Sequence, residues 1–320
     1  MSSSRARVYE FLLGMQVASS RSGDPRAWIR RAAMIQSNPG LSISRQIVKR
    51  ALILRSYGKG RWESKGYLRA ALRATREAGL SRSGRKALVI ANGHSASLLN
   101  ISGVIEARSK GLDVYAMNSF LLSDLSKLLT PTHYVLSDPQ HHPSHSGALS
   151  QNLWAALDAH PEIQLVAPHD WYPTLKERRP SSMYFNNCGL QGWTTSTSPL
   201  KAMGYIYLTA YKALAFALHL GYMRVSIIGF DNSGYLNFSV DERNEIYYGG
   251  DTHFYSRDSP AQNFTGMYPQ GMADCLFDYA LCLLDLERCF KLAPIVNLDL
   301  SSRTSAFPKE ADAHLIQPSE

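Results

Sequence analysis

The chain has 320 residues, 45% of them hydrophobic, and a formal net charge of +8. That length can bury one large α/β core with an appendage, or two domains. No apolar run approaches the roughly 18–20 residues needed to cross a bilayer. The Ser- and Arg-rich start runs into Glu10 with no apolar stretch and cleavage site behind it. A secretory signal is not expected, and the chain is expected in the cytoplasm. Four cysteines are present, three of them (Cys275, Cys282, Cys289) at a spacing of seven along one helical face. Free buried thiols in a reducing compartment fit that spacing.

The charge is unevenly placed. Met1–Lys86 holds 19 Lys and Arg against 4 Asp and Glu, +15, and the remainder holds 15 against 22, −7. Residues 1–85 therefore read as a basic helical extension, with breaks expected at Gly23–Pro25, Asn38–Gly40 and Gly58–Gly60. Such a segment suits an anionic lipid surface, nucleic acid or an acidic partner, or is a solvated extension.

From residue 86 to 320 the pattern changes to that of one catalytic domain. Short apolar runs alternate with helical stretches: Ala87–Ala91, Asp113–Met117, His133–Ser137, Ile163–Ala167, Arg224–Gly229 and Ile295–Leu298. Continuous apolar strands alternating with helices predict an α/β, Rossmann-like parallel sheet covered by helices on both faces. A polar, aromatic stretch over about 232–265 is weakly periodic, as a small lid would be.

Ligands bind outside the carboxyl ends of such strands, and polar residues collect there. The first run ends in Asn92-Gly93-His94-Ser95, the second in Asn118, the third in Asp138-Pro139; Asp231 follows the fifth, and Asp299 and Ser301 the sixth. These side chains can hold ribose hydroxyls, base edges or phosphates, and they can equally cap helices and make turns. Thr209 opens an Ala- and Leu-rich stretch that Gly221 ends, so it reads as a helix N-cap and a phosphate site. Asn92–Ser95 is neither a GxGxxG nor a Walker A loop. The cluster His141, His142, His145 lacks the H-E-x-x-H pattern and is flanked by prolines, so no metal site is expected. In the 232–265 stretch, His253 stands among Tyr235, Tyr247, Tyr248 and Tyr255, a setting for a general base and phosphate-holding hydroxyls, or for a packed surface loop.

These residues resemble a known family. Val89–Ser95 is similar to the V-I-x-G-N-G-P-S opening of bacterial sialyltransferases of glycosyltransferase family 42. In the same order, Asp113–Asn118 resembles their D-V-F-x-x-N, Tyr134–Pro139 their strand ending in Asn-Pro, and Thr209–Asp231 their T-S-G helix with A-L-G-Y and G-I-D. Asp251–Tyr255 resembles their S-H-Y. The likeness covers about residues 86–308. It implies metal-independent transfer of a sugar, with CMP-sialic acid as donor and a cell-surface glycan as acceptor, and no cofactor. Asn92, Gly93, Ser95, Asn118, Asp138, Thr209 and Asp231 would hold the nucleotide, Tyr235 and Tyr248 its phosphate, and His253 would be the catalytic base. The sequence departs at His94 (Pro in the family), Asp138 (Asn) and Ile206 (Arg), which leaves the sugar open. A weaker likeness, on Asp138-Pro139, is to motility-associated glycosyltransferase and 6-hydroxymethylpterin pyrophosphokinase-like proteins. The rival readings are therefore an ATP- and Mg²⁺-dependent pyrophosphokinase and a basic nucleic-acid-binding protein. Against the latter, the basic charge lies outside the domain carrying the strand-end set. The expected partners are a nucleotide sugar and a glycan acceptor, with residues 1–85 on an anionic membrane surface and no nucleic acid.

Overall fold

The computed structural model describes residues 43–190, 193–204, 208–249 and 286–317, with residues 254, 261–263, 265, 272, 276 and 283 between the last two blocks. Three helices come first: α1 (Ile43–Ser64), α2 (Leu68–Ala71) and α3 (Arg73–Glu77). Then β1 (Lys86–Ile90), α4 (Ile101–Ser109), β2 (Asp113–Met117), α5 (Asp124–Leu128), β3 (His133–Val135), α6 (Ala148–Asp158), β4 (Gln164–Pro168), α7 (Tyr172–Arg178) and β5 (Met183–Phe185) alternate. Helix α8 (Thr209–Leu220) leads to β6 (Arg224–Ile228). β7 (Phe238–Val240), β8 (Ile246–Tyr248) and β9 (Gln262–Asn263) follow, and β10 (Ile295–Asn297) closes the main sheet.

The main sheet has seven strands in the order β10-β6-β1-β2-β3-β4-β5, and every pairing is parallel. Its strands alternate between two buried layers. Leu88, Ile90, Val114, Ala116 and Tyr134 enter one core; Ala87, Val89, Tyr115, Met117 and Val135 enter the other. Period-2 alternation with both faces apolar is what a sheet sandwiched between helices demands. The strand order reverses at β1, with β2 on one side and β6 on the other. That is the topological switch point, where a crevice opens at the carboxyl ends of the strands.

Two expectations are corrected. Helix α1 runs unbroken through Gly58–Gly60. A Cβ on Gly60 would lie 3.0 Å from Cys188 Sγ, so this glycine lets the helix press against the strand ends; close packing outweighs its propensity cost of about 1 kcal/mol. Strand β5 was not anticipated, because three residues behind the charged stretch Lys176–Arg179 give too short a run to show. The stretch read as a lid over about 232–265 contains a small antiparallel sheet of β7, β8 and β9.

The basic segment is tied to this core at its carboxyl end. Ala71 and Leu72 are buried in the first core. Thr75 Oγ1 donates to Tyr184 O (2.7 Å) and accepts from Tyr184 N (2.9 Å), stapling α3 to β5. Arg85 and Arg82 reach the buried Asp113 carboxylate at 3.2 and 3.4 Å, and Tyr222 OH donates to it at 2.7 Å. Two of the segment's cations are thus committed to the end of the sheet opposite the crevice.

Candidate functional site

A cavity of about 520 Å³ lies at the switch point. Asn92 and Gly93 after β1, Asn118 after β2, Asp138 after β3, Asp231 after β6, and Thr209 and Tyr248 line it. Seven of the residues singled out in the sequence therefore meet in one crevice. Ser95 and Tyr235 are not in its lining. His253, Ile206 and Tyr255 lie outside the described residues.

The crevice is held open by a small set of bonds between the β1 and β6 ends. Ser95 Oγ accepts from Gly229 N (3.0 Å) and donates to Asp231 Oδ1, and Ser95 N donates to Asp231 Oδ2 (3.1 Å). Ser95 is thus a buried clamp behind the wall. Gly93 N donates to Gly229 O (2.9 Å), and a Cβ at Gly93 would meet that oxygen at 2.6 Å and the Asp231 carboxyl at 2.7 Å. Only glycine allows the two loops to approach so closely. Burial pushes the Asp231 carboxyl above the usual carboxylate range, while the Ser95 bonds pull it down.

Asn118 has φ of 52°, left-handed backbone that asparagine tolerates better than most residues. Its carbonyl is held by the Tyr134 hydroxyl, and the residue lines the crevice. Asn118 Oδ1 and Asn92 Oδ1 are both buried without a hydrogen-bond partner. Buried acceptors of this kind cost about 1–3 kcal/mol each when unpaired, and these two residues follow the neighbouring strands β1 and β2. Asn92 O accepts from Phe254 N (3.0 Å), which brings the residue next to His253 in the chain to the crevice rim.

Asp138 and Thr209 make their side-chain bonds within the protein. Asp138 Oδ1 accepts from Gln140 N (3.0 Å), the N-cap of the 3₁₀ turn Pro139–His141, with its side chain exposed at the rim. Thr209 is not the N-cap it was expected to be: Leu208 is, with no side-chain cap bond, and Thr209 is the first helical residue. Its hydroxyl is instead 2.6 Å from Ser137 Oγ, joining α8 to the β3 end. The first turn of α8 still borders the cavity, and its positive dipole end faces there.

Sequence reasoning missed Lys212, one turn further along α8. It is 1% exposed, its ammonium is 5.4 Å from the Phe185 ring, and burial pushes its pKa down to about 8, with Asp170 and Asp138 opposing. A lysine in an Ala- and Leu-rich helix looks solvated in a linear sequence. The three histidines after β3 diverge: His141 O accepts from Trp154 Nε1 (2.9 Å), the His142 ring meets Trp171 edge-on, and His145 Nδ1 accepts from Gly147 N (3.1 Å). Among the described residues no cluster of His, Cys, Asp or Glu has the makings of a metal site.

No family model matches the chain, and no curated protein does. Solved structures similar to it include two transferases. One is the sialyltransferase CstII from Campylobacter jejuni in complex with a substrate analogue, cytidine-5'-monophosphate: 14% identity over 74% of this chain and 89% of that one, TM-score 0.40. The other is the MAf glycosyltransferase from Magnetospirillum magneticum AMB-1: 13% identity, 75% of this chain but 37% of that one, TM-score 0.38. At these identities and scores, the chemistry of the crevice rests on this chain's own residues.

Proposed function

We propose that the chain is a glycosyltransferase that binds a nucleotide-sugar donor in the switch-point crevice, with CMP-sialic acid as the leading donor and a glycan hydroxyl as acceptor. The observation that carries this reading is the convergence of Asn92, Gly93, Asn118, Thr209 and Tyr248 on one cavity of about 520 Å³ at the switch point, where Asn92 and Asn118 each keep a buried side-chain oxygen without a partner. Ribose hydroxyls or a base amino group are the donors such acceptors require. The first turn of α8 offers backbone to the phosphate, Gly93 leaves room for it beside the β1 end, and Tyr248 adds a hydroxyl from β8. Transfer is metal-independent in this scheme, and no cofactor takes part.

His253 takes the role of general base, removing the acceptor proton as the sugar–phosphate bond breaks. Its chain neighbour Phe254 is bonded at the end of β1, which supports that role. Nucleotide release from CMP-, UDP- and GDP-linked sugars in the presence of a glycan acceptor tests the reaction. His253→Ala should lower turnover by about 10²–10⁴-fold with donor binding nearly intact. Unchanged turnover contradicts the assignment.

Residues 1–85 are the membrane-facing part of this proposal. Among the described residues no helix is long and apolar enough to span a bilayer. Trp62 is 70% exposed on α1, with the Lys65 ammonium 3.6 Å from its ring centre. An aromatic ring flanked by cations suits an anionic headgroup layer, at about 1 kcal/mol per cation. Flotation with anionic but not neutral liposomes is expected; equal partitioning contradicts it.

A further inference from the structure

A second cavity, of about 330 Å³, opens on the same sheet edge. Its floor is the ends of β4 and β5, where His169, Asp170 and Asn187 stand, and its other wall is the face of α1 with Tyr57 and Glu63, continued by Tyr67 at the start of α2. β3 and β4 are hydrogen-bonded neighbours, about 4.8 Å apart. The first cavity touches residues directly after β3 and the second touches residues directly after β4, so the two adjoin along the edge.

The chemistry of this cavity differs from that of the first. No lysine or arginine is in its lining, while Asp170 and Glu63 place two carboxylates at its rim. Glu63 has the Lys59 ammonium 3.7 Å away on the exposed side of α1. Tyr67 is stacked on Tyr172 at 6.2 Å and 13°, a fixed aromatic platform. Leu52 and Ile53 add apolar surface. His169 Nδ1 accepts from Asn187 N (2.9 Å), which ties the β4 and β5 ends together and leaves the neutral ring its proton on Nε2. Cys188 Sγ is 4.0 Å from that nitrogen. Burial pushes the thiol up to about 11 and the imidazole down, so the pair is neutral and serves as wall, not as a nucleophile.

We infer that this second cavity binds a neutral sugar ring. Its carboxylates would accept from ring hydroxyls while an aromatic face packs on the ring's C–H surface. Calling that sugar part of the acceptor rests on the glycosyltransferase reading; the sugar site itself does not. The basic segment then has a second duty, because α1 supplies one wall, and Gly60 is the close contact that seats it.

Saturation-transfer NMR on the full chain with methyl β-D-galactopyranoside, methyl α-D-glucopyranoside and methyl α-D-mannopyranoside tests this. At least one should receive saturation. Asp170→Ala and Glu63→Ala alter exposed side chains and should each weaken binding about tenfold or more, the loss of a charged hydrogen bond, with the melting temperature unchanged. Added CMP should not displace the glycoside. Absence of binding by all three glycosides, displacement by CMP, or binding indifferent to both variants overturns the inference. Glycoside binding that persists in a protein no nucleotide stabilises upholds this site and removes the donor reading.

Discussion

Asn118 carries two separable properties: a left-handed backbone and a carboxamide with a buried, unpartnered oxygen. Glycine preserves the first and deletes the second. Asn118→Gly should therefore keep the melting temperature within a degree or two while weakening nucleotide binding by about 1–3 kcal/mol; a titration of each protein by calorimetry reads both effects. Asp231 behaves differently, because its carboxyl is bonded to Ser95 and sits where burial raises its pKa. Its contribution to stability is present below the ordinary carboxylate range and is lost as pH rises through the raised value. At pH 7 Asp231→Asn, which keeps an acceptor for Ser95, should be as stable as the parent or more so. Asp231→Ala should cost about 1–3 kcal/mol. Denaturant melts at pH 7 that rank the Asn variant below the Ala variant contradict this account.

At the scale of elements, the strands that build the crevice were legible because each is a largely buried, mainly apolar run followed by polar residues. The runs at β1, β2, β3, β4, β6 and β10 match the sheet within a residue or two. What was not legible depends on long-range contact. β5 is a strand because β4 and Thr75 pair with it, 109 residues apart in the latter case. Lys212 is buried because α8 is packed on all sides, which an Ala- and Leu-rich pattern does not distinguish from one wet face. Gly60 reads as a helix breaker until Cys188 is seen beneath it. Asn92, Asn118, Ser95 and Asp138 read alike in the sequence; only geometry shows that Ser95 and Asp138 are bonded within the protein while the buried Asn92 and Asn118 oxygens have no partner. β3 supplies a further test. His133, at its start, is stacked on Tyr115 with centroids 4.3 Å apart, and burial lowers its pKa from 6.5 to about 4. The neutral ring is favoured in the native state, so its stabilisation is full above pH 6.5 and is lost as pH falls towards 4, about 3 kcal/mol over the window. His133→Phe should flatten that part of the pH–stability profile; an unchanged slope assigns acid sensitivity elsewhere.

For the molecule as a whole, the central claim is that the switch-point crevice is a nucleotide site whose specificity resides in Asn92 and Asn118. Two neighbouring cavities lie on one sheet edge, the second with the Asp170 and Glu63 carboxylates at its rim; under the proposed function they divide donor from acceptor without a second domain. The most direct test is thermal unfolding of the full chain in EDTA with CMP, UDP, GDP or ATP. The account predicts that CMP raises the melting temperature without any divalent cation, by about 2.7 kcal/mol in stability at a hundredfold excess over its dissociation constant. It also predicts that Asn92→Ala and Asn118→Gly each remove most of that gain. Stabilisation by ATP only with Mg²⁺ present, or by CMP equally in both variants, would contradict it.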